Sequence, residues 1–211
     1  MTDTTILDLG PQARIVARLA AGVPDARLAD PTPCPKYAVG NLLGHLTGLA
    51  VAFRDAARKD LGRTTDTAPD SAVPSLPAGW REELPRVLGE LAEAWQDPAA
   101  WTGMTRAGGV DLPGGIAGVV AVDELVVHGW DLARATGQEY APDQAALDTS
   151  YAFLLEAAEE GDRGGGIFGA VVPVPDGAPL LDRAVGLSGR DPGWTGGARS
   201  GTGTDTGRPA V

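Results

Sequence analysis

The segment that most constrains this chain is residues 112–137, LPGGIAGVVAVDELVVHGWDLARATG. It reads as one long helix. Pro113 suits a first-turn position, where its missing N–H costs nothing, and Gly137 suits the left-handed residue just past the end. The segment is apolar almost all round, as in a helix buried among neighbours. At 3.6 residues per turn, Ala117, Val120, Ala121, Glu124, Val127, His128, Asp131 and Ala135 share one face. Glu124 and His128 therefore point the same way, one turn apart, out of a stripe otherwise small and apolar. Burying a carboxylate and an imidazole there is costly unless something compensates them. A metal ion does so.

Composition narrows the classes around that helix. A chain of 211 residues with 43% hydrophobic content is large enough for one domain with a real core. A formal charge of −11 and a pI near 4.5 argue against nucleic acid or an anionic membrane surface as partner. No apolar run approaches the roughly 18 residues needed to span a bilayer. The N-terminus carries acidic residues where a signal peptide is basic, and no apolar stretch follows. Cys34 is the single cysteine, so no intrachain disulfide forms and a cytoplasmic location is the default.

Five further helices and a tail complete the reading. A first helix spans about residues 4–23 through Ile6, Leu7, Ile15, Leu19 and Ala20. A proline-punctuated loop over 24–37 follows. A second helix runs over about 39–59, with Leu42, Leu46, Leu49 and Phe53 as its core stripe and His45 at that stripe's inner edge. Residues 60–77 read as a surface connection. A third helix covers about 79–96, with Pro85 marking a kink or a later start. Residues 102–111 form a loop before the central helix. An amphipathic helix over about 142–160 and a short one over 178–187 follow it. Gly164, Gly166 and Gly169 spell G-x-G-x-x-G, but without a strand before or a helix after they signal a helix-terminating loop, not a dinucleotide site. No strand pattern stands out. The fold class is all-α, a four-helix bundle with short additional helices over residues 1–189 and a disordered Gly/Thr-rich tail over 190–211.

His45 and His128 are all the histidines the chain has. An i, i+4 Glu–His pair can offer a carboxylate oxygen and an imidazole nitrogen to one ion, and a histidine from a facing helix makes three ligands. Three protein ligands plus an open position is the arrangement of a catalytic zinc site. Nickel, iron and manganese accept the same donors. Spacing alone leaves blander readings open: a weak solvent-side Glu–His pair, and a hydrogen-bonded core histidine. Asp131, on the same face, is placed to hold a ligand imidazole from behind, or to bond a nearby loop.

The segments TPCPKYAVGNLLGHLTG (32–48) and AVDELVVHGWDLARATG (121–137) resemble the two signature motifs of the DinB/YfiT-like metalloprotein superfamily. More narrowly, they resemble the actinobacterial branch containing the N-terminal, metal-binding domain of mycothiol-dependent maleylpyruvate isomerase. The second segment follows that branch's E-x-x-x-H-G-W-D-x-A run, and a weaker likeness extends over about 5–190. The resemblance implies a four-helix bundle and a divalent metal, usually zinc, held by His45, Glu124 and His128. Two departures stand out. Tyr37 occupies the position usually held by tryptophan, and no stretch matches the isomerase's C-terminal α/β domain.

A thiol held by such a cation is deprotonated near neutral pH, and mycothiol is the small thiol the resemblance implies as co-substrate. The reading is a metal-dependent, mycothiol-using S-transferase or isomerase acting on a small electrophile. The alternatives are a metal-binding protein without catalysis and a metal-dependent hydrolase. Candidate catalytic helpers are Asp131, for orientation, and Arg134, for an anionic substrate, although a cation near a helix C-terminus is ordinary. Cys34 reads as a small buried residue packing its loop. Trp101 and Trp130 read as core or pocket wall. Substrate and oligomeric state are not legible.

Overall fold

The structure is a computed structural model and describes residues 6–68, 73–159 and 168–196. Seven helices lie within those residues: α1 (Gly10–Ala21), α2 (Val39–Arg58), α3 (Arg63–Asp66), α4 (Trp80–Ala94), α5 (Gly114–Thr136), α6 (Gln144–Glu159) and α7 (Leu180–Leu187). Four of them make the bundle. α2 packs against α4 and α5, and α1 packs against the same two, so the helices run around the core in the order α1, α4, α2, α5. α6 lies on the outer flank of α5 and α7 lies on α6. The all-α, DinB-like architecture inferred from the sequence is the one found.

Periodicity explains the core. Leu42, Leu46 and Leu49 of α2 meet Leu84, Leu88 and Leu91 of α4 and Ala121 and Leu125 of α5, all buried in one cluster. Each buried leucine contributes about 1.5–3 kcal/mol. The small residues of α5 let a tryptophan pair approach. Trp95 and Trp101 meet edge to face at 5.0 Å, and a Cβ on Gly118 would stand 2.6 Å from the Trp101 ring.

Several boundaries differ from the sequence expectation. α1 starts at Gly10, not near residue 4. Pro11 belongs in a first turn, and Asp8 Oδ1 accepts the Gly10 N–H at 2.8 Å, so Ile6 and Leu7 precede the helix. α4 passes through Pro85 and so begins ahead of it. Pro113 sits just before α5 (φ −58°, ψ 141°) and not within its first turn. α6 starts at Gln144 because Asp143 Oδ1 accepts the Ala146 N–H.

The loop expected over 102–111 instead holds most of an antiparallel hairpin, β1 (Met104–Ala107) and β2 (Val110–Pro113). Gly108 and Gly109, at φ +60° and +80°, supply the left-handed turn that a two-residue hairpin needs. Arg190, Pro192 and Trp194, which fall within the expected tail, are bonded to Asp131 and Arg134 of α5. The rest of the proposed tail, 197–211, and most of the glycine-rich loop, 160–167, lie outside the described residues. No helix among the described residues is long and apolar enough to cross a membrane.

Two polar features fix elements around the central helix. Gln12 of α1, 1% exposed, donates to Leu125 O at 3.0 Å and Tyr140 Oη at 2.8 Å, and accepts the Asp143 N–H at 3.0 Å. Tyr140 in turn donates to Val126 O at 2.7 Å, with its ring over Gly129, where a Cβ would stand 2.9 Å from the hydroxyl. The second feature is the loop before α2. Val39 and Gly40 donate their otherwise unpaired first-turn N–H groups to Asp30 O and Leu28 O, and Asn41 Oδ1 accepts the Ala38 N–H. Thr32 Oγ1 donates to the carbonyls of Cys34 and Tyr37. Cys34 is thereby buried. Burial pushes its thiol pKa up, and the nearby Asp131 charge adds to this while Arg190 opposes it.

Two outcomes follow from these features. Gln12→Ala leaves the Asp143 N–H without its acceptor and removes the donor to Leu125 O and Tyr140 Oη, and is expected to cost about 1–3 kcal/mol in a urea melt, with the helical fold retained. Cys34, buried and with a raised pKa, is expected to react with iodoacetamide at pH 8 at least about tenfold more slowly in the folded protein than in urea. Mass spectrometry of timed quenches reads the ratio.

Candidate metal centre

α5 is long because nothing in residues 114–136 breaks it, and Gly137, at φ +70°, ends it. That rigid rod fixes Glu124 and His128 one turn apart on the face turned toward α2. His45 comes from the second turn of α2, one residue after Gly44, whose missing Cβ admits the Ser75 carbonyl (2.5 Å from an ideal Cβ). The three sequence candidates meet. One ligating atom from each of His45, Glu124 and His128 lies within 4.8 Å of the others.

The cluster is organised on one oxygen. Glu124 Oε2 lies 3.2 Å from His45 Nε2 and 3.2 Å from His128 Nε2. The two imidazoles meet edge to face, with centroids 4.8 Å apart. The Tyr37 ring packs beside both, 5.2 Å from His45 and 6.4 Å from His128. Side-chain exposure falls from 24% at Glu124 to 13% at His45 and 8% at His128, so the carboxylate is the open edge.

Asp131 is fully buried behind His128 and faces its Nδ1 at 2.8 Å. A ring nitrogen that close to a carboxylate donates its N–H, which leaves Nε2 to face the cluster. Asp131 Oδ2 also accepts from Arg190 Nη2 at 3.2 Å. Burial alone would lower the His128 pKa, but its bonds to Asp131 and Glu124 outweigh it and push the pKa up to about 9. Burial likewise opposes ionisation of Glu124, yet the two histidines hold its carboxyl well below the usual range. Without a metal, then, a proton stands between carboxylate and imidazole.

The donor set fits a divalent cation. Two imidazole nitrogens and one carboxylate oxygen converge, and the hydrogen bonds of Glu124 go to those two histidines. His128 is anchored from behind in the manner usual for ligand histidines. A cation entering this cluster displaces the shared proton, so binding tightens as pH rises.

Arg134 is not brought to the cluster. Its guanidinium donates to Pro192 O at 2.9 Å and Trp194 O at 3.2 Å and lies 5.7 Å from the Trp130 ring. It lines a cleft of about 840 Å³ with Arg18, Trp130, Tyr140 and Asp182, in which none of the three cluster residues takes part. An offset of six residues turns it about 120° around the helix from His128. Trp101 packs on Trp95 and α5, as core. Sequence reasoning passed over Gln12, Tyr140 and Arg190 as contributors to this region. Each makes its contact across more than 50 residues, where no periodicity signals it.

Similarity to known proteins agrees with this geometry. Two uncharacterized proteins of Mycobacterium tuberculosis, from strain CDC 1551 / Oshkosh and strain H37Rv, are each 24% identical to the chain over 175 residues, covering 82% of it and 91% of the relative. No solved structure gives a significant match. The family model for the mycothiol maleylpyruvate isomerase N-terminal domain matches residues 9–133, which hold α1, α2, α4 and all three cluster residues. The chain belongs to the family of the mycothiol maleylpyruvate isomerase N-terminal domain.

Proposed function

We propose that the protein is a metal-dependent, mycothiol-using enzyme that acts as S-transferase or isomerase on a small electrophile. The observation that carries this is the convergence of His45, Glu124 and His128 on one point with Glu124 still partly open to solvent. Zinc suits two imidazoles and a carboxylate best, with nickel, iron and manganese as chemically acceptable substitutes. A divalent cation held there supplies Lewis acidity that keeps a coordinated thiol deprotonated near neutral pH.

The chain's own residues do the rest. His45, Glu124 and His128 would hold the cation. Asp131 fixes the His128 ring through Nδ1. Tyr37 packs a flat apolar wall beside the two imidazoles. A thiolate delivered at this edge adds to an electrophilic carbon. Where that carbon is part of a double bond, expulsion of the thiolate after bond rotation re-forms the double bond and the outcome is isomerisation. If the thiolate stays, the neighbouring carbanion takes a proton from solvent and the outcome is S-transfer. A cytoplasmic setting, where a small thiol is kept reduced, suits either outcome.

Metal content is the first test. The purified protein is expected to hold about one zinc per chain by elemental analysis, and His45→Ala to weaken binding by more than about 100-fold, beyond the loss typical of outer-shell partners. A protein without metal, unchanged by that substitution, rules the proposal out.

Mycothiol and monochlorobimane then provide the functional assay. The zinc-loaded protein is expected to speed formation of the fluorescent adduct at least about tenfold over background, a modest demand on a positioned thiolate, and chelation should abolish the gain. Zinc bound with no acceleration for any small electrophile leaves a binding protein and removes the enzymatic reading.

A further inference from the structure

Behind the cluster lies a buried ion pair, one half of which falls outside the family-matched residues. Asp131 belongs to α5, within 9–133, whereas Arg190 follows α7. Arg190 Nη2 donates to the same Asp131 oxygen that faces His128 Nδ1, at 3.2 Å and 2.8 Å respectively. The Arg190 side chain is only 12% exposed. Its root is fixed, since its backbone N–H donates to Val185 O and Nη1 to Ser188 O, both at 3.1 Å. Gly189, at φ +84°, packs its backbone so closely on the stretch ahead of α7 that a Cβ would stand 2.7 Å from Gly169 Cα.

A carboxylate with no exposed surface needs a charged partner to hold its place. Within α5 the group facing it is the His128 ring, which must be neutral to ligate a metal. The other group bonded to Asp131 is Arg190, which also lies within electrostatic reach of Cys34 and Glu124. Asp131 Oδ1 and Arg190 Nε are both buried without a hydrogen-bond partner among the described residues, so the pair rests on the one contact through Oδ2. That contact fixes which carboxylate oxygen meets His128.

We propose that Arg190 is a positioning residue of the metal centre, holding the Asp131 carboxylate in the orientation that aims His128 Nε2 at His45 and Glu124. The inference rests on the reading of that cluster as a metal site and extends it to a residue outside the family-matched region.

Cobalt(II) is the probe. Its affinity is read by chelator competition and its ligand geometry by visible d–d absorption. Arg190→Gln is expected to weaken cobalt binding about tenfold, the low end for outer-shell partners of a ligand histidine, and to shift the d–d bands. Arg190→Lys should recover part of the loss, because it keeps a cation but not the planar fork. Trp194→Ala loosens the same C-terminal stretch without touching the ion pair, and should lower stability while leaving affinity and spectrum unchanged.

Unchanged or tighter cobalt binding in Arg190→Gln, or an equal loss in Trp194→Ala, overturns the proposal. If Arg190→Gln does not fold, Arg190→Lys decides, and a wild-type affinity and spectrum in that variant overturns it. A wild-type protein that takes up no cobalt overturns the metal reading and this inference together.

Discussion

One carboxylate oxygen shared by two imidazoles is the constraint around which this bundle is arranged. Glu124 Oε2 sits 3.2 Å from each histidine in a seam between α2 and α5 that is otherwise apolar. A charge in such a seam is tolerated only when its partners are fixed in place. The surrounding structure supplies that rigidity. Gln12 and Tyr140 pin α1 and the start of α6 to the carbonyls of Leu125 and Val126, one to three residues from the ligands on α5. The loop before α2 is tied to that helix's first turn and sets the Tyr37 ring against His45.

Much of this was legible in the chain. The period of 3.6 exposed the four bundle helices, and the i, i+4 spacing of Glu124 and His128 placed both on one face. His45 stood out as a polar ring on the inner edge of the Leu42–Leu49 stripe, but only the resemblance of residues 32–48 to a family motif separated a ligand from an ordinary core histidine. Less legible were features set by short or distant signals. The hairpin escaped because four-residue strands carry too little alternation, although the Gly108–Gly109 dipeptide was a turn signal in plain view. The start of α1 was placed too early because Ile6 and Leu7 continue the apolar pattern past Gly10 and Pro11. Arg134 looked like a substrate-binding residue from its distance along the helix, but its angle around the axis carries it to another face. Arg190 could not be found at all, because a glycine-rich neighbourhood reads as tail until the fold shows where it returns.

The family-matched residues 9–133 hold the three cluster side chains and Asp131, but they do not complete the surroundings. α6 and the residues after α7 pack on the back of α5, and Asp123 of α5 accepts from Ser150 of α6 at 2.6 Å. The same burial that isolates Asp123 raises its pKa to about 7. The chemistry-bearing portion and its support thus come from different parts of the chain, and the two uncharacterized relatives align across both.

Two of the three cluster residues ride on one rigid helix, and the third on its neighbour in the ring. An ion seated among them would act as a rivet across that single seam, leaving the α1–α4 side free to breathe on its own. Amide hydrogen exchange in the middle of α2 and α5 would then slow with occupancy, while α4 kept its metal-free protection, making the bundle's softness directional.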